Sequence, residues 1–219
     1  IDYFTAEYLR GRTPNPCIAC NRHVKFQALL NKALSLGAGY IATGHYARLS
    51  FSGQYGRYTV CRPADRKKDQ TYVLYGLTQR QIAYTLMPLG EYTKEQVRKI
   101  AADMGLPVAS KAESQEICFV LDNNYRNFLK EKTRDIKPGP FINMKGEVIG
   151  EHKGIPFYTI GQRKGLGVPT GERLYVVKID PEKNAITLGP EEAILGDRLI
   201  AKDVYMILYE KLESPVEVE

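Results

Sequence analysis

Four cysteines are the residues of this chain with the most distinctive chemistry: Cys17, Cys20, Cys61 and Cys118. Cys17 and Cys20 form a C-x-x-C just before a stretch with helical periodicity. Unpaired N–H groups and the macrodipole at the start of a helix favour a thiolate, so Cys20 is a candidate nucleophile. Cys61 falls within a predicted strand and is interpreted as structural.

Several other roles for these cysteines stay open on the residues alone. Both C-x-x-C thiols could simply be packing residues, because free cysteine is often buried as a small apolar side chain. A structural zinc site needs four ligands, so distant single residues would have to complete it. Cys17, Cys20 and Cys118 could instead hold an iron–sulfur cluster with one iron left open. A thioredoxin-like motif is disfavoured, since Pro14-Asn15-Pro16 precedes the pair in place of an apolar strand.

Two further patterns are candidates for ligand contacts. Gly44-His45-Tyr46 follows the apolar run Tyr40–Thr43, and ligands of α/β sheets commonly bind in loops at the carboxyl ends of the strands. The basic clusters Arg66-Lys67-Lys68 and Arg163-Lys164 lie in predicted loops and could contact phosphate groups. A plain turn with a surface histidine would also explain the first pattern, and solvated charge is the commoner explanation for a basic cluster.

The elements that would position these residues begin as an alternation of helices and strands. A helix is predicted over Val24–Leu36, ending before Gly37, with one apolar face formed by Val24, Leu29, Leu30, Ala33 and Leu36. Strands are predicted at Tyr40–Thr43, Arg57–Arg62 and Thr71–Tyr75. This order of elements is typical of an α/β domain.

The pattern then changes towards β-structure. Two more helices are predicted to begin at capping boxes, Thr78 with Gln81 and Thr93 with Gln96, and the second should end at Gly105. From Lys137 onward, short alternating segments separated by turn residues predict β-hairpins, among them Leu174–Ile179 with Ala185–Leu188, and a last strand-like run at Val204–Leu208. A small β-rich domain is therefore expected after the α/β part.

Composition limits the classes of protein to which the chain can belong. It has 219 residues, and no apolar run approaches the roughly 20 residues of a membrane span. The net charge of +6 suits a polyanionic partner without requiring one. No secretion signal is visible and four cysteines are too few for a secreted disulfide scaffold, so a reducing cytoplasm is expected. Because the first residue is Ile1, we expect the chain to be a fragment.

Five blocks of sequence, in order, resemble the tRNA-specific 2-thiouridylases. They are residues 11–21 (GRTPNPCIACN), 42–48 (ATGHYAR), 68–72 (KDQTY), 113–119 (ESQEICF) and 158–167 (YTIGQRKGLG). The matching region runs from about Gly11 to Gly189. In that family, ATP adenylates the C2 oxygen of the wobble uridine in tRNAs for lysine, glutamate and glutamine, and sulfur arrives as a cysteine persulfide.

The resemblance implies a role for each matching residue. Cys118 would receive the persulfide from a sulfur-carrier protein or cysteine desulfurase, and Cys20 would free sulfide from it or close a disulfide with Cys118. The target base would be contacted by Asn15, Pro16 and Cys17, ATP by Gly44, and tRNA by His45, Lys68, Asp69 and Gln70. The base must be flipped out of its stack to be attacked. Cys17 departs from the family, in which many members carry Asp there.

The resemblance also implies an architecture and its cofactors. Residues 1–120 would be the rear part of an ATP-pyrophosphatase domain of the adenine nucleotide alpha hydrolase type, 121–192 a small β-rich central domain, and 193–219 the start of a β-barrel. ATP with Mg²⁺ is implied as cosubstrate. The loop Ser-Gly-Gly-x-Asp-Ser that grips pyrophosphate is absent from the sequence, so we expect this polypeptide not to thiolate tRNA alone. The alternatives are a non-catalytic tRNA-binding module and a cysteine-ligated metal or iron–sulfur protein.

Overall fold

A computed structural model of the chain describes residues 1–112, 117–169 and 171–217. The chain divides into two compact units: one comprises Ile1–Pro16 and Gln115–Ala201, and the other Cys17–Ser114 and Lys202–Glu219. No helix among the described residues is long and apolar enough to cross a membrane.

The helices and strands are numbered in chain order. The α-helices are α1 (Asp2–Leu9), α2 (Pro16–Ala19), α3 (Leu30–Ser35), α4 (Gln79–Ala83), α5 (Lys94–Asp103) and α6 (Tyr125–Lys132), and a π-helical segment, Cys20–Leu29, joins α2 to α3. The strands are β1 (Ile41–Ala42), β2 (Arg48–Ser52), β3 (Arg57–Cys61), β4 (Thr85–Leu86), β5 (Gly139–Ile142), β6 (Val148–His152), β7 (Tyr175–Asp180) and β8 (Ala185–Gly189). Short 3₁₀ turns lie at Arg66–Lys68, Thr71–Val73, Pro88–Glu91, Ile155–Phe157 and Glu191–Ile194.

The unit that contains Cys20 has the α/β character expected from the sequence. Strands β1 and β4 pair in parallel, and β2 and β3 form an antiparallel hairpin. Both predicted capping boxes are present, so α4 and α5 begin where the sequence indicates. The core of the unit is formed by Phe26, Leu30, Ile41, Ala47, Val73, Leu74, Leu77, Ile82 and Met87.

The helix face predicted for Val24–Leu36 is wrong. Of its five apolar positions only Leu30 is buried, whereas Val24 is 55% exposed and Leu29 53% exposed. The cause is the π-helical segment, whose turns are wider than the 3.6 residues assumed in the prediction. Asn21 and Phe26 therefore share the buried face with Leu30.

Two predicted strands of this unit are also absent from the described structure. Thr71–Tyr75 instead begins with a 3₁₀ turn, because the Asp69 carboxylate accepts hydrogen bonds from the Thr71 amide at 2.8 Å and its hydroxyl at 2.7 Å. Val204–Leu208 forms neither helix nor strand, although Ile207 packs against the core. Apolar content alone does not make a strand when no neighbouring strand supplies hydrogen bonds.

The other unit is built on one mixed sheet with the strand order β6-β5-β8-β7. The hairpin β7–β8 confirms the prediction from Leu174–Ile179 and Ala185–Leu188, and Asn184 in its turn has φ +48°, a conformation that asparagine tolerates. Strands β5 and β8 pair in parallel and the other pairs are antiparallel. Phe4 and Tyr8 of α1 join the core under this sheet together with Leu129, Phe141, Val176 and Ile186. Within the described residues no sheet closes into a barrel.

Candidate active site

The helix that carries the C-x-x-C begins at Pro16 and continues through its π-helical segment to Ser35. Proline suits the first helical position, where its missing N–H would be unpaired anyway. Cys17 therefore lies in the first turn and is exposed, whereas Cys20 begins the next turn and is half-buried. Since the effect of the macrodipole falls off within the first turn, it acts on Cys17 more than on Cys20.

Asn21 anchors the segment next to Cys20. Its side chain is 1% exposed, and its Nδ2 donates a hydrogen bond to the carbonyl oxygen of Val73 at 3.1 Å. The Oδ1 of the same amide is buried and has no hydrogen-bond partner among the described residues. The position of Cys20 is thus tied to the chain that follows the Lys68-Asp69-Gln70 block.

Gly44 and His45 follow strand β1, as predicted. Gly44 is exposed, and a β-carbon placed there would meet only Leu89, at 3.6 Å, so its backbone is open to a ligand. His45 is 8% exposed, its Nδ1 lies 2.9 Å from the hydroxyl of Thr43, and its ring lies beside that of Phe26 with 5.8 Å between centroids. Burial, and secondarily the charge of Lys25, lowers the pKa of His45 from 6.5 to about 4. The imidazole is therefore neutral near pH 7.

The segment Asp65–Gln70, which contains the predicted tRNA contacts, is held in place by hydrogen bonds to its own side chains. Asp65 accepts from the backbone N–H of Lys67 at 3.1 Å and from that of Lys94, the first residue of α5, at 3.0 Å. Gln70 is bonded twice to Tyr46: its Oε1 accepts from the Tyr46 N–H at 2.9 Å, and its own N–H donates to the Tyr46 carbonyl at 3.0 Å. Asp69 and Gln70 are both half-buried. The side chain of Asp69 is bonded to Thr71, and that of Gln70 to Tyr46.

Three blocks that are distant in sequence are consequently joined within one unit. Asn21 connects the helix of Cys20 to Val73, Gln70 connects the same turn to Tyr46, and Phe26 connects the helix to His45. This network was not foreseen from the sequence. Asn21 stands out only once the π-helical register is known, because that register places this polar side chain on the buried, apolar face of the helix.

Cys118 lies in the other unit, at the tip of a tight turn. The turn is closed by a hydrogen bond of 2.9 Å from the Val120 N–H to the Ile117 carbonyl. Ile117 and Phe119 pack on the core of that unit, and the rings of Phe119 and Phe4 are 5.3 Å apart. The thiol between these two anchored side chains is exposed. Such a turn presents a thiol to a partner without unfolding the segment. Residues 113–116 of the same sequence block lie outside the described part of the chain.

None of the four cysteines is in a disulfide. Asn15 is exposed and Pro16 is half-buried, and both belong to the unit of Cys118. In the part of the chain that the structure describes, no group of three or more His, Cys, Asp or Glu side chains is arranged to hold a metal ion. The three possible ligands of an iron–sulfur cluster are divided between the two units, Cys17 and Cys20 in one and Cys118 in the other.

Comparison with known proteins decides the family. The family model described as the tRNA methyl transferase HUP domain matches residues 1–122, and the one described as the tRNA methyl transferase PRC-barrel domain matches residues 126–190. A tRNA-specific 2-thiouridylase of Pelotomaculum thermopropionicum is 78% identical over 219 residues, and one of Desulforamulus reducens is 64% identical over 220 residues.

The chain belongs to the tRNA-specific 2-thiouridylase family. Both relatives match the whole of this chain, which spans 60% of their length. The order of a HUP domain and then a PRC-barrel domain confirms the expected order of an α/β part and a β-rich part. All four strands of the mixed sheet fall within the range of the PRC-barrel match.

Proposed function

We propose that this chain is part of an ATP-dependent tRNA 2-thiouridylase, which transfers sulfur to C2 of the wobble uridine of tRNAs for lysine, glutamate and glutamine. The names of its curated relatives support the reaction class. The observation that carries the sulfur chemistry is the exposed thiol of Cys118 at the tip of a turn whose flanking side chains are anchored. A persulfide carrier has to be reached by a donor protein, and this geometry allows it.

The reaction uses the two cysteines in different roles. A sulfur-carrier protein or cysteine desulfurase transfers sulfane sulfur to Cys118, forming Cys118-S-SH. The thiolate of Cys20 then attacks the Cys118 sulfur, releases hydrosulfide and forms a Cys20–Cys118 disulfide. Hydrosulfide displaces AMP from the adenylated C2 of the uridine, and an external thiol reductant restores both cysteines. In a second version the terminal persulfide sulfur attacks C2 and displaces AMP, which links Cys118 to the base through a disulfide. The thiolate of Cys20 then attacks the Cys118 sulfur, releases 2-thiouridine and forms the Cys20–Cys118 disulfide.

The remaining residues would hold the substrates. Gly44 offers open backbone to ATP, which would bind with Mg²⁺ in the ATP-pyrophosphatase domain. The loop with Asn15, Pro16 and Cys17 would contact the flipped base. Lys68 would contact tRNA phosphate. His45, Asp69 and Gln70 are largely occupied by internal contacts, so their effect on tRNA would come mainly through the shape of the loops that they hold.

The finer architecture belongs to the same proposal. Residues 1–120 would complete the rear of the ATP-pyrophosphatase domain, 121–192 would be the central β-rich domain, and 193–219 would begin a C-terminal β-barrel. An enzyme of this kind acts in the cytoplasm, where its cysteines are kept reduced between cycles.

The experiment is the formation of 2-thiouridine on unmodified tRNA by the full-length protein, purified anaerobically, with ATP and a sulfur-donating protein as the source of sulfur, since free sulfide could displace AMP without either cysteine. Parent protein is compared with Cys20→Ser, Cys118→Ser and Cys17→Ser, and with Cys61→Ser as the matched control, and iron is quantified in each. Loss of product in the Cys20 and Cys118 variants alone supports the proposal. A parallel loss of iron and activity in the Cys17, Cys20 and Cys118 variants would favour the iron–sulfur alternative. Unchanged tRNA binding with no activity in any protein would favour the non-catalytic module.

A further inference from the structure

We propose that the unit built on the mixed sheet carries a second RNA-binding surface, a basic cleft that contacts the phosphodiester backbone of the substrate tRNA. The inference rests on the proposed function. The cleft has a volume of about 480 Å³ and lies between helix α6, the end of strand β6 and the loop 165–167. Its lining includes Arg126, Lys130 and Lys153, with Glu151 as the carboxylate among the described lining residues.

Two of these cations are oriented on one wall by contacts to the same residue. Arg126 Nη2 donates a hydrogen bond to the carbonyl oxygen of Phe157 at 3.1 Å, and Lys130 Nζ lies 5.6 Å from the centroid of the Phe157 ring. Phe157 is 4% exposed and fixed in the core. The guanidinium of Arg126 has five N–H donors, so this bond leaves others for a ligand. The two charged groups are thus pre-oriented at the cleft and lose less side-chain entropy on binding.

The opposite wall is a glycine-containing loop braced from within. Gln162 braces the segment that leads into this loop: its Oε1 accepts from the Thr159 N–H at 3.1 Å, and its Nε2 donates to the Lys164 carbonyl at 3.0 Å. Gly165 and Gly167 have φ values of +76° and +72°, which disfavour any side chain. The entry to the loop is therefore braced, and the two glycines leave room for close approach to their backbone.

The distribution of charge fits a polymer better than a single anion. The same Gly165–Gly167 wall borders a neighbouring cleft of about 270 Å³, whose charged lining residues are Arg163, Arg173 and the carboxylate Glu172. Positive side chains thus stand on both sides of one wall. A repeating polyanion can neutralise such a row of separated charges, whereas one phosphate group cannot span it.

The test uses the full-length protein with Lys130→Gln and Lys153→Gln combined. The matched control combines Lys132→Gln, on the same helix, with Lys145→Gln, in the turn between β5 and β6; neither lysine lines the cleft. Affinity for unmodified tRNA is measured by filter binding over a series of KCl concentrations. Loss of two phosphate contacts should make the slope of log K against log salt less steep by about 2. At about 0.1 M KCl the affinity should fall roughly tenfold or more.

The controls separate this inference from the proposed function. Lys130→Arg with Lys153→Arg, which keeps both charges, should retain the parental slope and affinity. If the parent thiolates tRNA but the glutamine pair keeps the salt slope of the control pair, the RNA-binding surface is wrong and the proposed function stands. If the glutamine pair loses only stimulation by the sulfur-donating protein, the cleft serves a protein partner and the proposal is overturned. Competition by inorganic phosphate equal to that by tRNA would likewise contradict a backbone-binding surface. A parent that binds tRNA without thiolating it removes the proposed function, while the salt slopes still decide the inference.

Discussion

Replacement of Asn21 by Asp tests whether its hydrogen bond holds the helix of Cys20 in position. The two side chains have the same shape, so packing is preserved. The change replaces the Nδ2 donor, which is 3.1 Å from the Val73 carbonyl, by a second acceptor oxygen. It also introduces a carboxyl group at a site that is 1% exposed. The variant therefore loses one buried hydrogen bond and gains a buried group that resists ionisation.

The expected cost follows from these two effects. An unsatisfied buried carbonyl costs about 1–3 kcal/mol, and burial of the carboxylate adds to it, so we expect a loss of about 3 kcal/mol at neutral pH. A domain of this size shifts its melting temperature by roughly 2–4 °C per kcal/mol, which corresponds to roughly 6–12 °C. The folded pKa of the new carboxyl should exceed its unfolded value of about 3.9. Since the protonated acid can donate to Val73, the defect should be smallest near pH 4 and grow as the pH rises through the folded pKa.

The assay is thermal unfolding of the full-length protein between about pH 4 and pH 8, with 2-thiouridine formation measured beside it. Asn31→Asp is the matched control: Asn31 lies on the same helix but is exposed, and its Oδ1 is 3.4 Å from Nη1 of Arg80. The control should melt within about a degree of the parent, because exposed ion pairs contribute little. Equal melting temperatures of Asn21→Asp and the parent at pH 8 would refute the reasoning.

Three further predictions concern His45, Gly90 and Cys118. The pKa of His45 falls from 6.5 to about 4 on folding. Its contribution to the free energy of unfolding is therefore complete above about pH 6.5 and should fall by about 3 kcal/mol as the pH drops to about 4. In acid unfolding experiments, His45→Gln should make the free energy of unfolding less dependent on pH in this range. Gly90→Ala would bring a β-carbon within 2.1 Å of the Ala47 carbonyl oxygen, whereas nothing lies within 4 Å at Gly53, so a thermal melt should show severe destabilisation for the first substitution and little change for Gly53→Ala. Cys118→Ser should abolish thiolation at an unchanged melting temperature, because the thiol is exposed; a large drop in that temperature would point to a structural role.

Local sequence signals predicted the features that depend on local chemistry. The capping boxes of α4 and α5 were correct because each needs only residues three apart, and both reciprocal hydrogen bonds are present. The β7–β8 hairpin was correct because its turn residues and alternating strands are neighbours in sequence. The loop at Gly44 was predicted correctly, but the strand before it spans only Ile41–Ala42, and of the run Tyr40–Thr43 only Ile41 is buried.

The failures all involve interactions that sequence periodicity does not encode. The π-helical segment changes the buried face of the Cys20 helix: Val24, which was assigned to the buried face, is exposed, and Asn21, which lay outside the predicted helix, is buried. Thr71–Tyr75 has the β-branched and aromatic residues of a strand, but the Thr71 amide donates its hydrogen bond to the side chain of Asp69 and not to a neighbouring strand. The assignment of Gln70 and His45 as RNA contacts stays a prediction, but their internal partners, Tyr46 and Phe26, could not be found from the motif match.

The most direct test of the two-cysteine mechanism is to identify the cysteine that carries the transferred sulfur. Full-length Cys20→Ser protein is incubated with a cysteine desulfurase, radiolabelled cysteine, ATP and unmodified tRNA, and its peptides are mapped by mass spectrometry without reductant. The two-cysteine mechanism predicts labelled sulfur on Cys118, either as a persulfide or as a disulfide to the tRNA base, with no free 2-thiouridine. The Cys118→Ser protein should carry no label. Labelled 2-thiouridine formed at the parental rate by both variants would contradict it.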